Sequence, residues 1–416
     1  MHLKKFLSLA IFLALMTFCG CSLEQTVNAE FDNSKNKETQ QEVAKIFQDS
    51  GAPPKDYGAE EKLEDVSANE PVLENLTANF ETSNVEEILQ SLSLEEKIGQ
   101  MMIFGFHGTT ANEDVNSMFN QCHMGGIILF DRNMENKAQV RTLNSALQAG
   151  KKIPLFIALD EEGGQVARMT NDLIPPPSQK EIGSSGNSAL AYNSANSIAQ
   201  ELKNIGINLN FAPVADVGTP DTRSFGNDGY FVAEFVSQAA QGYEDAGIFY
   251  CLKHFPGIGL WKVDSHEDLS TITADRYTLE SVDLVPFKEN ISRHDNSKFM
   301  IMVSHYKYTA FDAENSATLS YTVMTELLRN ELGFNGVIIT DDLDMGAISK
   351  YHDESVLGVQ SVKAGADIIL SCHEYEKQRK IYNGILEAVR RGEISEQRID
   401  ESVRRILEMK MALLRR

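Results

Sequence analysis

Eight short apolar runs, rich in β-branched and aromatic residues, recur along the chain at 101–106, 126–130, 155–160, 208–213, 249–254, 299–305, 337–341 and 367–370. Helical periodicity fills most of the gaps between them, as at 189–205, 231–246 and 322–332. A short, nearly continuous apolar run suits a strand buried on both faces, and strands joined through helices pair in parallel. Eight such units over about 330 residues predict an α/β fold, a (β/α)8 TIM-like barrel built as a single domain over residues 85–416. A doubly wound open sheet is the rival, but no glycine-rich phosphate loop follows the first run. Ser93-Leu94-Glu95-Glu96 reads as a capping box opening a helix, and the amphipathic segment 399–414 ends the domain.

The first 84 residues read differently. Lys4 and Lys5 precede an apolar run at 7–18, and Gly20 precedes Cys21. This resembles a bacterial lipoprotein signal, residues 1–20, with Cys21 as the lipidated first residue of the mature chain. Residues 21–84 are polar, interrupted by Pro53, Pro54 and Pro71. Such a stretch buries too little apolar surface to offset its ordering entropy, so we expect a flexible tether with a short helix near 40–48. The protein is then expected at the extracytoplasmic face of the membrane, held by lipid, as a monomer.

The formal net charge of −22, with no basic run, excludes a nucleic-acid partner. Cys122, Cys251 and Cys372 are far apart and lack Cys/His ligand spacing, so neither a disulfide framework nor a zinc site is indicated. Buried free thiols are expected, and neither a metal nor another cofactor.

Charged residues stand where the apolar runs end. Asp160-Glu161-Glu162-Gly163-Gly164 follows the third run, Lys253-His254 ends the fifth, His305 the sixth, and Asp341-Asp342 the seventh. In a barrel these ends share one rim, where barrel enzymes carry their sites. A carboxylate there can attack an electrophilic carbon, and Asp341 fits that part, with Asp342 as a cap. In Asp264-Ser265-His266, residues i and i+2 of an extended loop point the same way. Asp264 can then orient His266 and raise its proton affinity, leaving the other ring nitrogen to move a proton. A nucleophilic carboxylate facing a proton donor is the equipment of glycoside cleavage.

Several segments together resemble glycoside hydrolase family 3. Residues 158–168, Ala-Leu-Asp-Glu-Glu-Gly-Gly-Gln-Val-Ala-Arg, look like its DxEGGxVxR motif. Residues 210–217 with Arg223-Ser224-Phe225-Gly226 look like its second motif, and Ile339-Thr340-Asp341-Asp342-Leu343 like its nucleophile strand. Lys253-His254-Phe255-Pro256-Gly257 with Asp264-Ser265-His266 resembles the bacterial β-N-acetylglucosaminidase branch. The resemblance implies a retaining exo-β-N-acetylglucosaminidase with Asp341 as nucleophile and Asp264–His266 as acid/base dyad. Asp160, Arg168, Arg223, Lys253 and His254 would hold the sugar, and peptidoglycan fragments would be the carbohydrate substrate. Rivals are a family 3 β-glucosidase, an N-acetylglucosamine phosphorylase and a catalytically silent sugar-binding lipoprotein. One departure stands out: Gly257-Ile258-Gly259 replaces the family's GHG, and Trp261 follows in the loop. Ile258 cannot donate a side-chain hydrogen bond, which puts the packing of this loop and the aglycone preference in question.

Cys21 generates the first prediction. In fractionated cells the chain should sediment with membranes, and Cys21→Ser should be released or left unprocessed, because stable anchoring needs more than one acyl chain. Wild-type protein found wholly in the soluble fraction would rule out the anchor.

Overall fold

The computed structural model describes Phe80 and residues 84–259, 270–349 and 353–414. Its centre is a ring of parallel strands: β1 Met102–Gly105, β2 Gly126–Ile128, β3 Phe156–Leu159, β4 Leu209–Asn210, β5 Phe249–Phe255, β6 Phe299–Val303, β7 Val337–Thr340 and β8 Ile369–Ser371. Each pairs in parallel with its neighbour in the order β8-β1-β2-β3-β4-β5-β6-β7. A single bridge between Ile339 and Ile368 brings the two ends together. There Thr340 N donates to Ile368 O at 3.1 Å, and Leu370 N donates to Thr340 Oγ1 at 3.1 Å. The chain therefore forms the expected (β/α)8 barrel, and the open sheet is excluded. All eight expected runs contain a strand.

Apolar side chains make up most of the strands, and the polar strand residues Asn210, Thr340 and Ser371 are fully buried and hydrogen-bonded. Phe104, Phe156, Ile157, Ile301 and Ile338 are all fully buried. Tyr250 stacks between Tyr243 and Phe299, with ring centroids at 5.8 and 5.3 Å. The outer helices start where the sequence places caps. Ser93 and Glu96 form the expected capping box on Leu94–Gln100. Asp228 accepts from Phe231 N and opens Gly229–Ala246 slightly before the expected start. Helix Glu396–Leu414 packs against Leu94–Gln100 and Val85–Ser91. A two-residue parallel pair, Thr271–Ile272 with Lys307–Tyr308, was not anticipated. Cys122, Cys251 and Cys372 are buried free thiols, as expected. No described helix is long and apolar enough to cross a membrane. The signal segment, the helix near 40–48 and all of the expected tether but Phe80 and Asn84 lie outside the described residues; Phe80 is buried in the core and Asn84 caps helix Val85–Ser91, so order begins before the expected boundary.

At the start of β8, Asp367 is fully buried and collects several donors. Arg329 Nη2 and Ser402 Oγ reach it at 2.7 Å, Arg405 Nη1 at 2.9 Å and Ile338 N at 3.0 Å. Burial alone would raise its pKa, but Arg329, Arg405 and Arg398 hold it below the ordinary value. This carboxylate ties the terminal helix and helix Thr322–Glu331 to the barrel. Asp367→Ala should cost about 3–5 kcal/mol of unfolding free energy in urea, since it strands buried guanidinium groups. A loss below about 1 kcal/mol would show that the cluster does not bind the terminal helix.

Candidate active site

The third strand ends in a turn that only glycine can make. Gly163 and Gly164 have φ of 89° and 59°. A Cβ on Gly163 would sit 2.7 Å from the carbonyl oxygens of both Pro176 and Pro177. The turn brings Glu162 and then Arg168 back over the strand ends. The loop after β4 supplies Asp216 and Arg223, the end of β5 supplies Lys253 and His254, and β7 runs into Asp341. The β5–β6 register shifts between Lys253 and Phe255, where two neighbouring polar side chains must both face the mouth.

These residues surround one cavity of about 370 Å³, lined among others by Asp160, Arg168, Arg223, Lys253, His254 and Asp341. Every described residue expected to carry the chemistry is thus brought to one place. Asp264, His266, Trp261 and Cys21 lie outside the described residues. A second cavity, of about 420 Å³ beside Asn296, Gly336 and Arg405, contains none of the expected site residues.

The cavity wall is a charge network. Lys253 Nζ lies 2.7 Å from both Asp160 Oδ1 and Glu162 Oε1. Arg223 grips Glu162 with two parallel bonds of 2.8 and 2.9 Å. Burial would raise the pKa of Glu162, but Lys253 and Arg223 bring it down to about 2. Burial would lower that of Lys253, and Asp160 and Glu162 hold it above the ordinary value instead. Arg168 stands near Asp160 and Asp131 at 3.7 and 3.8 Å, and its buried Nε has no partner in the network. His254 Nδ1 donates to Asp216 Oδ2 at 2.8 Å, while Arg223 Nη2 faces Nε2 at 3.4 Å. Arginine can only donate, so Nε2 is the acceptor and Nδ1 carries the proton. Asp216 Oδ1 also accepts from Ile258 N at 3.0 Å. The loop that lost a histidine at this position keeps its anchor through the backbone.

Asp341 is partly buried at the cavity. Among the described residues, its carboxylate accepts one hydrogen bond, from Asp342 N to Oδ1 at 2.8 Å. Burial would raise its pKa, but His305, His254, the Asp342 N–H and Lys253 leave it below the ordinary value. It is therefore a carboxylate at neutral pH. Asp342 caps a turn rather than a helix, its Oδ1 accepting from Asp344 N at 3.0 Å and Cys372 N at 3.1 Å. Its other oxygen faces His373 Nε2 at 3.5 Å.

Glu162, Asp216 and His373 belong to the site although the sequence reading gave them no role in it. Glu162 could have been read from the charge run 160–162, since a strand end cannot bury several carboxylates without cations. Asp216 lies within a recognised motif, but nothing in the sequence joins it to His254. His373 carries no local signal. Among the described residues, no group of three or more His, Cys, Asp or Glu could hold a metal.

Comparisons with known proteins agree with this geometry. Residues 93–409 match the family model described as "Glycosyl hydrolase family 3 N terminal domain". Beta-hexosaminidase A of Pseudoalteromonas piscicida is 33% identical over 344 residues, covering 73% of this chain and 56% of that protein. Beta-hexosaminidase of Xylella fastidiosa (strain M12) is 32% identical over 283 residues, covering 66% of this chain and 83% of its own. The solved family 3 β-N-acetylglucosaminidase from Paenibacillus sp. str. FPU-7 superposes with a TM-score of 0.74 at 40% identity. That match covers 78% of this chain and 63% of the other. The match thus spans 56% of the Pseudoalteromonas piscicida protein and 63% of the Paenibacillus chain, less than two thirds of either.

Two carboxyls at this rim generate a pH prediction. Burial, then Asp344 and Asp341, push Asp342 from 3.8 up to about 7. Burial pushes Glu161 from 4.5 to about 7. A raised acid binds its proton more tightly in the folded state, so its contribution is full below the ordinary value and is lost as pH rises towards 7. Unfolding free energy should therefore fall between about pH 4 and about pH 7. Asp342→Asn and Glu161→Gln should each flatten that slope in urea titrations. An unchanged slope in both would show that neither group is protonated in the fold.

Proposed function

Because the chain belongs to glycosyl hydrolase family 3, we propose that it is a retaining exo-β-N-acetylglucosaminidase with Asp341 as nucleophile. The observation that carries this reading is an ionised carboxylate at the end of β7, facing a cavity walled by Asp160, Arg168, Arg223, Lys253 and His254. Hexosaminidases and a β-N-acetylglucosaminidase among the relatives support a terminal N-acetylglucosamine as the sugar taken.

In this reading a Asp341 carboxylate oxygen attacks the anomeric carbon while the glycosidic oxygen leaves with a proton. The result is a glycosyl ester on Asp341, which water then hydrolyses with retention. The sugar's hydroxyls meet charged donors and acceptors already fixed against each other, so little reorganisation is needed as charge develops. Lys253 and Arg223 are held by carboxylates, leaving them oriented rather than free to collapse onto Asp341. His266, oriented by Asp264, gives the proton to the leaving oxygen and later withdraws one from water. A lipid-anchored protein outside the cytoplasmic membrane meets cell-wall fragments, and we propose these as the natural substrates.

Asp341→Ala should remain folded by circular dichroism and lose at least about a thousandfold in kcat with nitrophenyl β-N-acetylglucosaminide. The wild type should hydrolyse that substrate far faster than the β-glucoside or β-xyloside, and phosphate should not accelerate it. A fluorosugar that traps the glycosyl ester should label Asp341. A label on Asp342, or undiminished activity in Asp341→Ala, would overturn the assignment.

A further inference from the structure

His305 is 4% exposed and is not among the residues lining the cavity, yet it is hydrogen-bonded to the loop that carries Asp341. Its Nε2 lies 2.8 Å from Asp342 O and its Nδ1 2.8 Å from Thr318 Oγ1. A carbonyl can only accept, so Nε2 carries the proton. Burial keeps the ring below its ordinary pKa, hence neutral at pH 7, with Nδ1 set against the Thr318 hydroxyl. Thr318 is fully buried, and its Oγ1 also lies 2.8 Å from Ser304 O and 3.3 Å from Val303 O.

These bonds form a closed loop of constraints between two strand ends. Val303 O, at the end of β6, accepts from Asp341 N at 3.1 Å. The Asp342 carbonyl accepts from Met345 N at 3.0 Å as well as from His305. The Asp342 N–H is thereby aimed at Asp341 Oδ1. A core-filling role alone would be met by an apolar ring; a histidine with both nitrogens engaged, one on each strand-end loop, does more than fill space.

We propose that His305 is a positioning residue for the nucleophile, holding the Asp342 peptide so that its N–H stays on the Asp341 carboxylate. The proposal rests on Asp341 being the nucleophile. Without His305 the turn loosens, the N–H bond to Asp341 lengthens, and the Asp341 carboxyl ionises at higher pH. The titratable groups facing Asp341 are His305, His254, Lys253 and the Asp342 carboxyl; those facing His305 are Asp341 and His254. His305→Leu and His305→Gln both remove the imidazole, so a limb moved in the first and not in the second reports the loop.

The full chain carrying His305→Leu should lose about a hundredfold in kcat/KM on nitrophenyl β-N-acetylglucosaminide, the cost of a small misplacement at the reacting centre. The acid limb of its kcat/KM–pH profile should move to higher pH. His305→Gln, whose amide N–H can reach Asp342 O, should recover most of the rate and the wild-type limb. Thr318→Val, which deprives Nδ1 of its hydroxyl partner, should move the limb in the same direction by less. A His305→Leu enzyme with the wild-type limb overturns the proposal, as do Leu and Gln variants equally impaired. If His305→Leu does not fold, an unmoved limb in Thr318→Val overturns it. An active Asp341→Ala would instead strike the nucleophile assignment, whatever the His305 variants do.

Discussion

Lys253 held between Asp160 and Glu162 is the interaction on which the mouth of this barrel depends. An isolated ammonium as buried as this one would be expelled or neutralised, because its desolvation costs several kcal/mol, a large part of a domain's stability. Here two carboxylates offset that cost, and Arg223 then satisfies the oxygens that Lys253 leaves on Glu162. Removing any member leaves a neighbouring charge with fewer counter-charges than it now has. The network therefore fixes the spacing of β3, the β4 loop and β5, and with it the width of the cavity. It also keeps cations beside Asp341 without letting them pair with it, so the carboxylate stays ionised and reactive.

The barrel was legible because its strands, even two-residue β4, sit inside longer apolar runs and its helices are long enough to show their period. The 249–254 run contains most of β5, and 337–341 places Asp341 at the first position past β7. The charged residues gathered at the strand ends were legible for the same reason, since a charge abutting a buried strand has few structural excuses. What stayed hidden are partnerships across the ring. Asp216 and His254 are 38 residues apart, and only closure of β4 on β5 brings them within 2.8 Å. His373 reaches Asp342 only because β8 returns beside β7 at the seam. The Thr271–Ile272 pair with Lys307–Tyr308 was missed because two-residue strands show no periodicity.

The altered loop after β5 shows how a backbone can preserve what a side chain gives up. A histidine at position 258 would offer a ring nitrogen, and isoleucine offers none. Yet Asp216 takes its bond from the Ile258 amide, which any residue but proline would supply. The departure that looked most damaging in the sequence thus leaves the start of the loop tied to the same carboxylate that orients His254. What changes is the cavity wall, where the Ile258 side chain adds an apolar surface beside His254.

The seam between β7 and β8 bears on how the protein comes into being. The turn 341–344 draws several of its donors from the last strand and the residues after it. Cys372 N and His373 N both reach Asp344 Oδ2, at 2.9 and 2.8 Å, and Ser371 Oγ bonds the same carboxylate. A chain emerging from the ribosome has made β7, with Asp341 at its tip, well before any of these groups exist. Its catalytic turn stays unfinished until the ring has shut. On the reading that Asp341 is the nucleophile, turnover is a certificate of completed folding, and chains stalled short of the eighth strand should be silent towards substrate even when the other seven are in place.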